Sequence, residues 1–241
     1  MNDDLDHLLE RLGLKRIHEI LDEDLKIAQD QHPSYSDFLA RLLRSEYAAR
    51  QVRRLEYRIR QSRIPERWSL DTFPFDKQPG VNPAVIRELA ALDFIPAARN
   101  LVFHGPTGVG KTGLALGILL KALENGYRGF FIRAQDLFDE MYASLADRST
   151  RNLLRRLRGY DLLAIDEMGY LNLKPEQSNI FFKLMEERYS RKSTIITTNL
   201  AYEEWYDFLG QKQMVAALLD RLRHRCHTIH IEGPTLRTPN P

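Results

Sequence analysis

One stretch constrains this chain more than any other: Gly105-Pro106-Thr107-Gly108-Val109-Gly110-Lys111-Thr112. It fills the pattern G-x-x-x-x-G-K-[ST] and stands between an apolar run, LVFHG (101–105), and a helical run, KTGLALGILLKALENG. A glycine-rich turn in that setting curls backbone N–H groups around a phosphate, and the helix N-terminus adds its dipole. Lys111 can reach the β- and γ-phosphates, and the Thr112 hydroxyl can ligate Mg²⁺. The nucleotide-binding stretch therefore covers Gly105 to Thr112, with Gly113 continuing it into the helix.

A phosphate loop of this type belongs to a parallel α/β sheet, and the second half of the chain has that texture. The runs LVFHG (101–105), GFFIRA (129–134), DLLAID (161–166), STIITTN (193–199) and TIHIEG (228–233) alternate with helical stretches. Near-continuous apolar strands each followed by a helix indicate a five-stranded parallel sheet covered on both faces. Residues 1–67 read differently. Leu5, Leu8, Leu9 and Leu12 recur at helical spacing, Gly13 ends that helix, and a second runs from about 14 to 28. HPSYS breaks the pattern, Ser34 or Ser36 can cap the next helix, and 36–62 forms one long helix without Gly or Pro. The expected division is a helical N-terminal domain, 1–67, for DNA or partner binding and oligomerisation, and an ATPase domain, 68–241.

DLLAIDE (161–167) is a buried strand ending in two carboxylates. Asp166 at its tip would hold the Mg²⁺ through water. Glu167 points elsewhere and could polarise the attacking water. The phosphate-loop Lys111 lies 55 residues upstream of Asp166, and the two elements together are far more specific than either alone. An acid at 167 also favours the branch of these ATPases with a strand inserted between the two strands that carry these motifs, and GFFIRA is expected to be that strand. Asn199, at the tip of STIITTN, can touch both the γ-phosphate and the attacking water; a cap for the helix near Tyr202 is the other reading. No N-K-x-D stretch is present to read guanine, so ATP is the expected nucleotide.

The chain resembles the IstB family, the ATPase helpers of insertion-sequence transposases, over about 73–237. The stretches that carry the resemblance are IRELAALDFI, GPTGVGKTGLAL, LLAIDEMGYLNL, NIFFKLMEERY, TTNLAYEEW and ALLDRLRHR. That family is similar to the DnaC helicase loaders, and both are AAA+ ATPases. The resemblance implies a Walker A motif at 105–112, a Walker B motif at Asp166 and Glu167, and a sensor 1 residue at Asn199. It implies a cytoplasmic ATPase that assembles on target DNA and assists a transposase in target selection and transposition. The alternative is a helicase loader whose helices grip a replicative helicase. The family pattern places an arginine acting in trans at Arg221 of LLDRL, with ATP held between the subunits of a homo-oligomer. Val215, Leu218, Leu219 and Leu222 make the apolar face there and Arg221 lies off it; a solvated Arg221 paired with Asp220 is the other reading. Arg223 and Arg225 are expected to be surface residues. A second arginine, sensor 2, falls at Arg237 of GPTLR, where the family reads GESYR; three departures in five leave the role of Arg237 open. With the sequence ending at 241, no C-terminal helical lid is expected.

Charge bears on partners. The formal net charge is only +2, yet residues 1–30 hold nine acids against four bases, and 41–67 hold nine arginines against three glutamates. On the long helix Arg50, Arg54 and Arg58 share a face, with Arg53 and Arg60 off it, and Tyr47 and Tyr57 could stack or hydrogen-bond. These arginines are expected to contact double-stranded DNA through phosphates, with weak sequence preference. A helix that packs on a partner through Leu39, Leu42, Leu43, Leu55 and Ile59 is the alternative. Arg151, Arg155, Arg156 and Arg158 form a second basic run that could face DNA or solvent. The single cysteine, Cys226, excludes an intramolecular disulfide and suits a reducing compartment. His224, Cys226 and His227 lack a fourth ligand for zinc. The N-terminus lacks the apolar core of a signal peptide, and no apolar run approaches a membrane span.

Overall fold

The computed structural model describes residues 3–169 and 171–237. Tyr170, in the DEMGYL stretch, and the last four positions lie outside them. The chain divides into two compact units, with the boundary between Tyr57 and Arg58.

The first unit holds α1 (Asp3–Arg11), α2 (Lys15–Gln31) and most of α3 (Tyr35–Ser62). Gly13, at φ 65°, turns the chain between α1 and α2, a conformation open to a residue without a Cβ. Ser34 caps α3 by accepting the Asp37 N–H at 3.2 Å. The core is small: Leu9, Ile17, Leu21 and Leu42 are buried. Of the leucine stripe on α1 only Leu9 goes inside, while Leu8 and Leu12 stay exposed. On α3 Leu42 and Ile59 are buried, whereas Leu39 and Leu43 face solvent.

A buried carboxylate organises this unit. Glu46 Oε2 accepts the backbone N–H groups of Arg16 at 2.7 Å and Ile17 at 3.2 Å, so a residue of α3 caps α2, whose own Leu14 offers no acceptor. Its Oε1 accepts from Arg53 at 2.8 Å, with Arg50 Nε at 3.5 Å. Burial pushes the Glu46 carboxyl up, but these N–H groups and the Arg53 guanidinium outweigh it and hold it below the ordinary 4.5. Two of the five arginines assigned to DNA are thus engaged inside the unit. A third, Arg58, donates to the Leu123 carbonyl at 2.8 Å. Arg44, Arg54 and Arg60 are exposed.

Replacing Glu46 by Gln is expected to destabilise the helical unit by roughly 2 kcal/mol at neutral pH, because a charged cap is lost. A depressed folded pKa contributes stability above the unfolded value and loses it as pH falls through the folded one. The gap between wild type and Glu46→Gln should therefore close in acid when thermal unfolding of the full chain is followed by circular dichroism. A gap independent of pH would mean that the charge of Glu46 is not what α2 needs.

The second unit is a parallel sheet of β1 (Asn100–His104), β2 (Gly129–Arg133), β3 (Leu162–Met168), β4 (Ser193–Thr198) and β5 (Cys226–His230), in the order β2-β3-β4-β1-β5. Ahead of them runs α4 (Pro83–Ala90), and between them α5 (Lys111–Glu124), α6 (Ala134–Ala146), α7 (Thr150–Arg158), α8 (Pro175–Arg188), α9 (Trp205–Leu209) and α10 (Lys212–His224). Successive strand residues point to opposite faces. Val102, Ile132, Ile165 and Ile196 pack with α6 to α10 on one side; Leu101, Phe131, Ala164 and Ile195 pack with α4 and α5 on the other. That is why each strand reads as an unbroken apolar run. The last strand starts at Cys226, two residues before the expected TIHIEG.

The sheet order corrects one expectation. GFFIRA lies between the two motif strands in sequence but at the sheet edge in space. The strand that separates β1 from β3 is β4, Ser193–Thr198. The reason is the crossover: chain order does not dictate lateral order in a sheet wound by helices on both faces. The consequence is functional, because β4 delivers Thr197, Thr198 and Asn199 between the phosphate loop and Asp166.

Candidate nucleotide site

A cleft of about 520 Å³ opens at the C-terminal ends of the strands, where ligands of open α/β sheets bind. The phosphate loop makes its floor. Gly108 (φ 87°) and Gly110 (φ 95°) adopt left-handed backbone that a side chain would strain. A Cβ at Gly108 would also lie 2.1 Å from the Thr235 hydroxyl. The segment after β5 crosses the loop here, with the Leu236 N–H donating to the Gly108 carbonyl at 2.8 Å. Lys111 Nζ folds back to the carbonyls of Gly105 at 2.7 Å and Pro106 at 2.6 Å, the N–H donors of the ammonium taking loop acceptors. Burial depresses the Lys111 pKa; the carboxylates of Asp166 and Glu167 oppose that, and the Arg237 cation adds to it.

Thr112 Oγ1 donates to Asp166, 2.9 Å from Oδ1 and 3.1 Å from Oδ2. The Thr197 hydroxyl donates to Asp166 Oδ1 at 2.5 Å. Asp166 is 3% exposed. Burial raises its pKa even against the two hydroxyl donors that lower it, and the nearby Glu167 raises it further. Burial disfavours the charged form of a carboxylate, and a cation beside it would offset that cost. A carboxylate and a hydroxyl, both hard oxygen donors at the foot of a phosphate loop, fit Mg²⁺.

Glu167 has an unusual backbone. Its φ is 59°, and the pairing of β3 with β4 shifts register between Ile165 and Met168. A left-handed residue other than glycine costs on the order of 1–2 kcal/mol. The Thr197 hydroxyl helps hold it by accepting the Glu167 N–H at 2.9 Å. In a regular strand adjacent side chains face opposite ways; here Asp166 and Glu167 line the same cleft. Asn199 lines it too, and its Oδ1 is buried without a hydrogen-bond partner. Such an acceptor is costly unless something occupies it.

The structure thus brings Thr107, Gly108, Gly110, Lys111, Thr112, Gly113, Asp166, Glu167, Asn199 and Arg237 to one cleft. Val109 turns into the core instead, and Gly105 packs on the Ile231 carbonyl. Arg221 is elsewhere. It borders a separate cavity beside α8 and α10, paired with Glu186 at 3.6 Å and 42% exposed. Arg223 pairs with Glu203 and lies over the Tyr202 ring, while Arg225 donates to the Ala97 carbonyl. Burial raises the Cys226 thiol to about 11, beside Thr228 and Tyr202. On α7 Leu153, Leu154 and Leu157 go inside. Arg156 pairs with Glu140 and Arg158 with Glu187, leaving Arg151 and Arg155 outward.

Four contributors are silent in the sequence. Thr197 grips both carboxylate residues; its only signal is a hydroxyl near the end of a buried apolar strand. Gln78, fully buried, donates to the carbonyls of Val109 at 3.2 Å and Pro234 at 3.0 Å, tying the connector to the phosphate loop and to the segment above it. Trp68 and Phe73 wall the cleft against Gly113 and Gly110. The connector has no periodicity to reveal either role.

Known proteins resemble this chain along most of its length. The sequence model of the family described as IstB-like ATP binding protein matches residues 7–240. The ATP-binding protein of insertion sequence IS5376 from Geobacillus stearothermophilus is 36% identical over 227 residues, covering 94% of this chain and 90% of the relative. That of IS21 from Pseudomonas aeruginosa is 33% identical over 234 residues, covering 97% and 88%. Among solved structures, DnaI superposes with a TM-score of 0.60 at 21% identity, over 69% of this chain and 92% of that one. The DnaC helicase loader gives 0.54 at 24%, over 62% and 88%. At such identities these two speak for the fold alone.

Proposed function

Because the chain belongs to the IstB-like ATP-binding family, we propose that it hydrolyses ATP and, in its ATP-bound form, assembles on DNA to assist an insertion-sequence transposase. The observation that carries the ATPase reading is the Thr112–Asp166 contact with Glu167 turned into the same cleft. Thr112 and Asp166 would hold Mg²⁺, which would neutralise phosphate charge. The loop N–H groups and Lys111, released from its carbonyls, would bind the β- and γ-phosphates. Glu167 would take a proton from the attacking water. Asn199, with its free amide oxygen, would orient that water, and Arg237 lies where it can meet a phosphate.

Of the assigned catalytic residues Lys111, Glu167, Asn199 and Arg221, only Arg221 is absent from the cleft of its own chain, which supports the reading that a neighbouring copy supplies it. The relatives named for insertion sequences favour a transposase as partner over a replicative helicase. No helix among the described residues is long and apolar enough to cross a bilayer. The helical N-terminal part is the proposed DNA-facing element, and the arginines left exposed there and at the end of α3 are its contacts.

The test is DNA binding measured against salt, with and without a non-hydrolysable ATP analogue. Binding should tighten with the analogue. Joint charge reversal of Arg54 and Arg60 should weaken it and reduce the salt slope by about 2, one for each phosphate no longer neutralised. Arg50 and Arg53 are poor probes, because changing them also disturbs Glu46. Binding insensitive to both ATP and the double reversal would overturn this assignment of the DNA surface.

A further inference from the structure

The nucleotide reading leaves a histidine pair unused. His104 ends β1, directly before Gly105 of the phosphate loop; His230 ends β5, in register with it. Their Nδ1 atoms are 3.1 Å apart, with the rings edge to face at 73°. Two imidazole nitrogens at that distance repel unless one carries a proton toward the other. The sheet order puts the tip of β4 on the other side of His104, where His104 pairs with Thr198 and the next stretch of backbone, that of Asn199, comes beside the imidazole. The amide oxygen of Asn199 makes no bond of its own.

We propose that His104, oriented by His230, is a positioning residue that holds the Asn199 main chain so that the Asn199 amide stands ready over the cleft. In the neutral state His104 has one N–H, which it donates to the Asn199 carbonyl. Its Nδ1 then accepts from the His230 Nδ1–H, and this second bond selects both the tautomer and the ring orientation. The logic is that of any polar relay: the outer residue touches nothing that reacts but sets the rotamer of one that does. The surroundings suit a neutral His104. Burial lowers its pKa first, the His230 and Lys111 charges lower it further, and only the Asn199 hydrogen bond and Glu204 oppose them. The inference rests on the reading of Asn199 as the residue that orients the attacking water.

Steady-state hydrolysis and binding of a fluorescent ATP analogue in the full-length chain test it. His104→Ala should lower kcat about tenfold while leaving the analogue Kd within about twofold, since misplacement by a fraction of an ångström costs rate, not binding. His230→Ala, on an exposed side chain, should act in the same direction by a few-fold. Added to Asn199→Ala, His104→Ala should change nothing more, because residues that act as one unit are not additive. Independent, multiplying effects of the two changes overturn the link while sparing the reading of Asn199. So does a His104→Ala variant in which Kd, kcat and Tm all suffer together. Normal turnover in Asn199→Ala overturns the reading of Asn199 and the positioning role with it.

Discussion

Glu167→Gln should bind ATP as tightly as the unaltered protein and hydrolyse it about 10² to 10⁴ times more slowly. The substitution keeps size and polarity but removes the strand-tip carboxylate assigned to accept the proton. Asp166 cannot take over, because two threonine hydroxyls already donate to it at its buried position. The range is that of general-base catalysis by a positioned side chain. Folding should be spared. Glu167 is solvent-exposed, and its left-handed backbone is held through the N–H to Thr197, which Gln keeps. The measurement is phosphate release at saturating ATP beside analogue binding. Turnover within about twofold of the original would remove Glu167 from the base position.

Arg221→Ala should cost about 10³-fold or more in turnover, the range for an arginine that stabilises charge on a transferring phosphoryl group. Its ion pair with Glu186 is long and exposed, so its loss should barely alter stability. The decisive experiment is mixing. Lys111→Ala should be inactive because its loop cannot hold the triphosphate, yet it carries an intact Arg221. In an equimolar mixture about a quarter of head-to-tail interfaces would join a sound loop to a sound arginine, and turnover should return to that extent. A mixture as inactive as its parts would mean that Arg221 does not complete a neighbour's site.

The two predictions differ in how visible their residues are in the sequence. Asp166 and Glu167 can be read from an apolar run ending in two acids, but not the manner in which both reach one cleft. A strand alternates by its covalent geometry, so the sequence argues that neighbours diverge. The exception at Glu167 exists because β4 lies beside β3 and offers the Thr197 hydroxyl. The lateral placement of β4 is hidden for a related reason. GFFIRA stands between the motif strands in chain order, and chain order is the only order a sequence displays. Arg50, Arg53 and Arg54 are alike in type and lie within two turns of one helix. Only the buried Glu46 distinguishes the two that are engaged from the one left exposed.

By itself, then, the sequence determined what depends on residues close together along the chain. The glycines of the phosphate loop, Lys111 and Thr112, the apolar strands, the helical repeat and the strand-tip acids all act within a few positions of one another, where periodicity and backbone preference decide the outcome. The tertiary structure alone decided what depends on residues far apart in sequence. It chose β4 as the strand between β1 and β3, strained Glu167 into the cleft, strapped 232–237 over the loop through Gln78, and set Arg221 away from its own nucleotide site. Those outcomes follow from packing two faces of one sheet at once, a condition that no local stretch of sequence expresses.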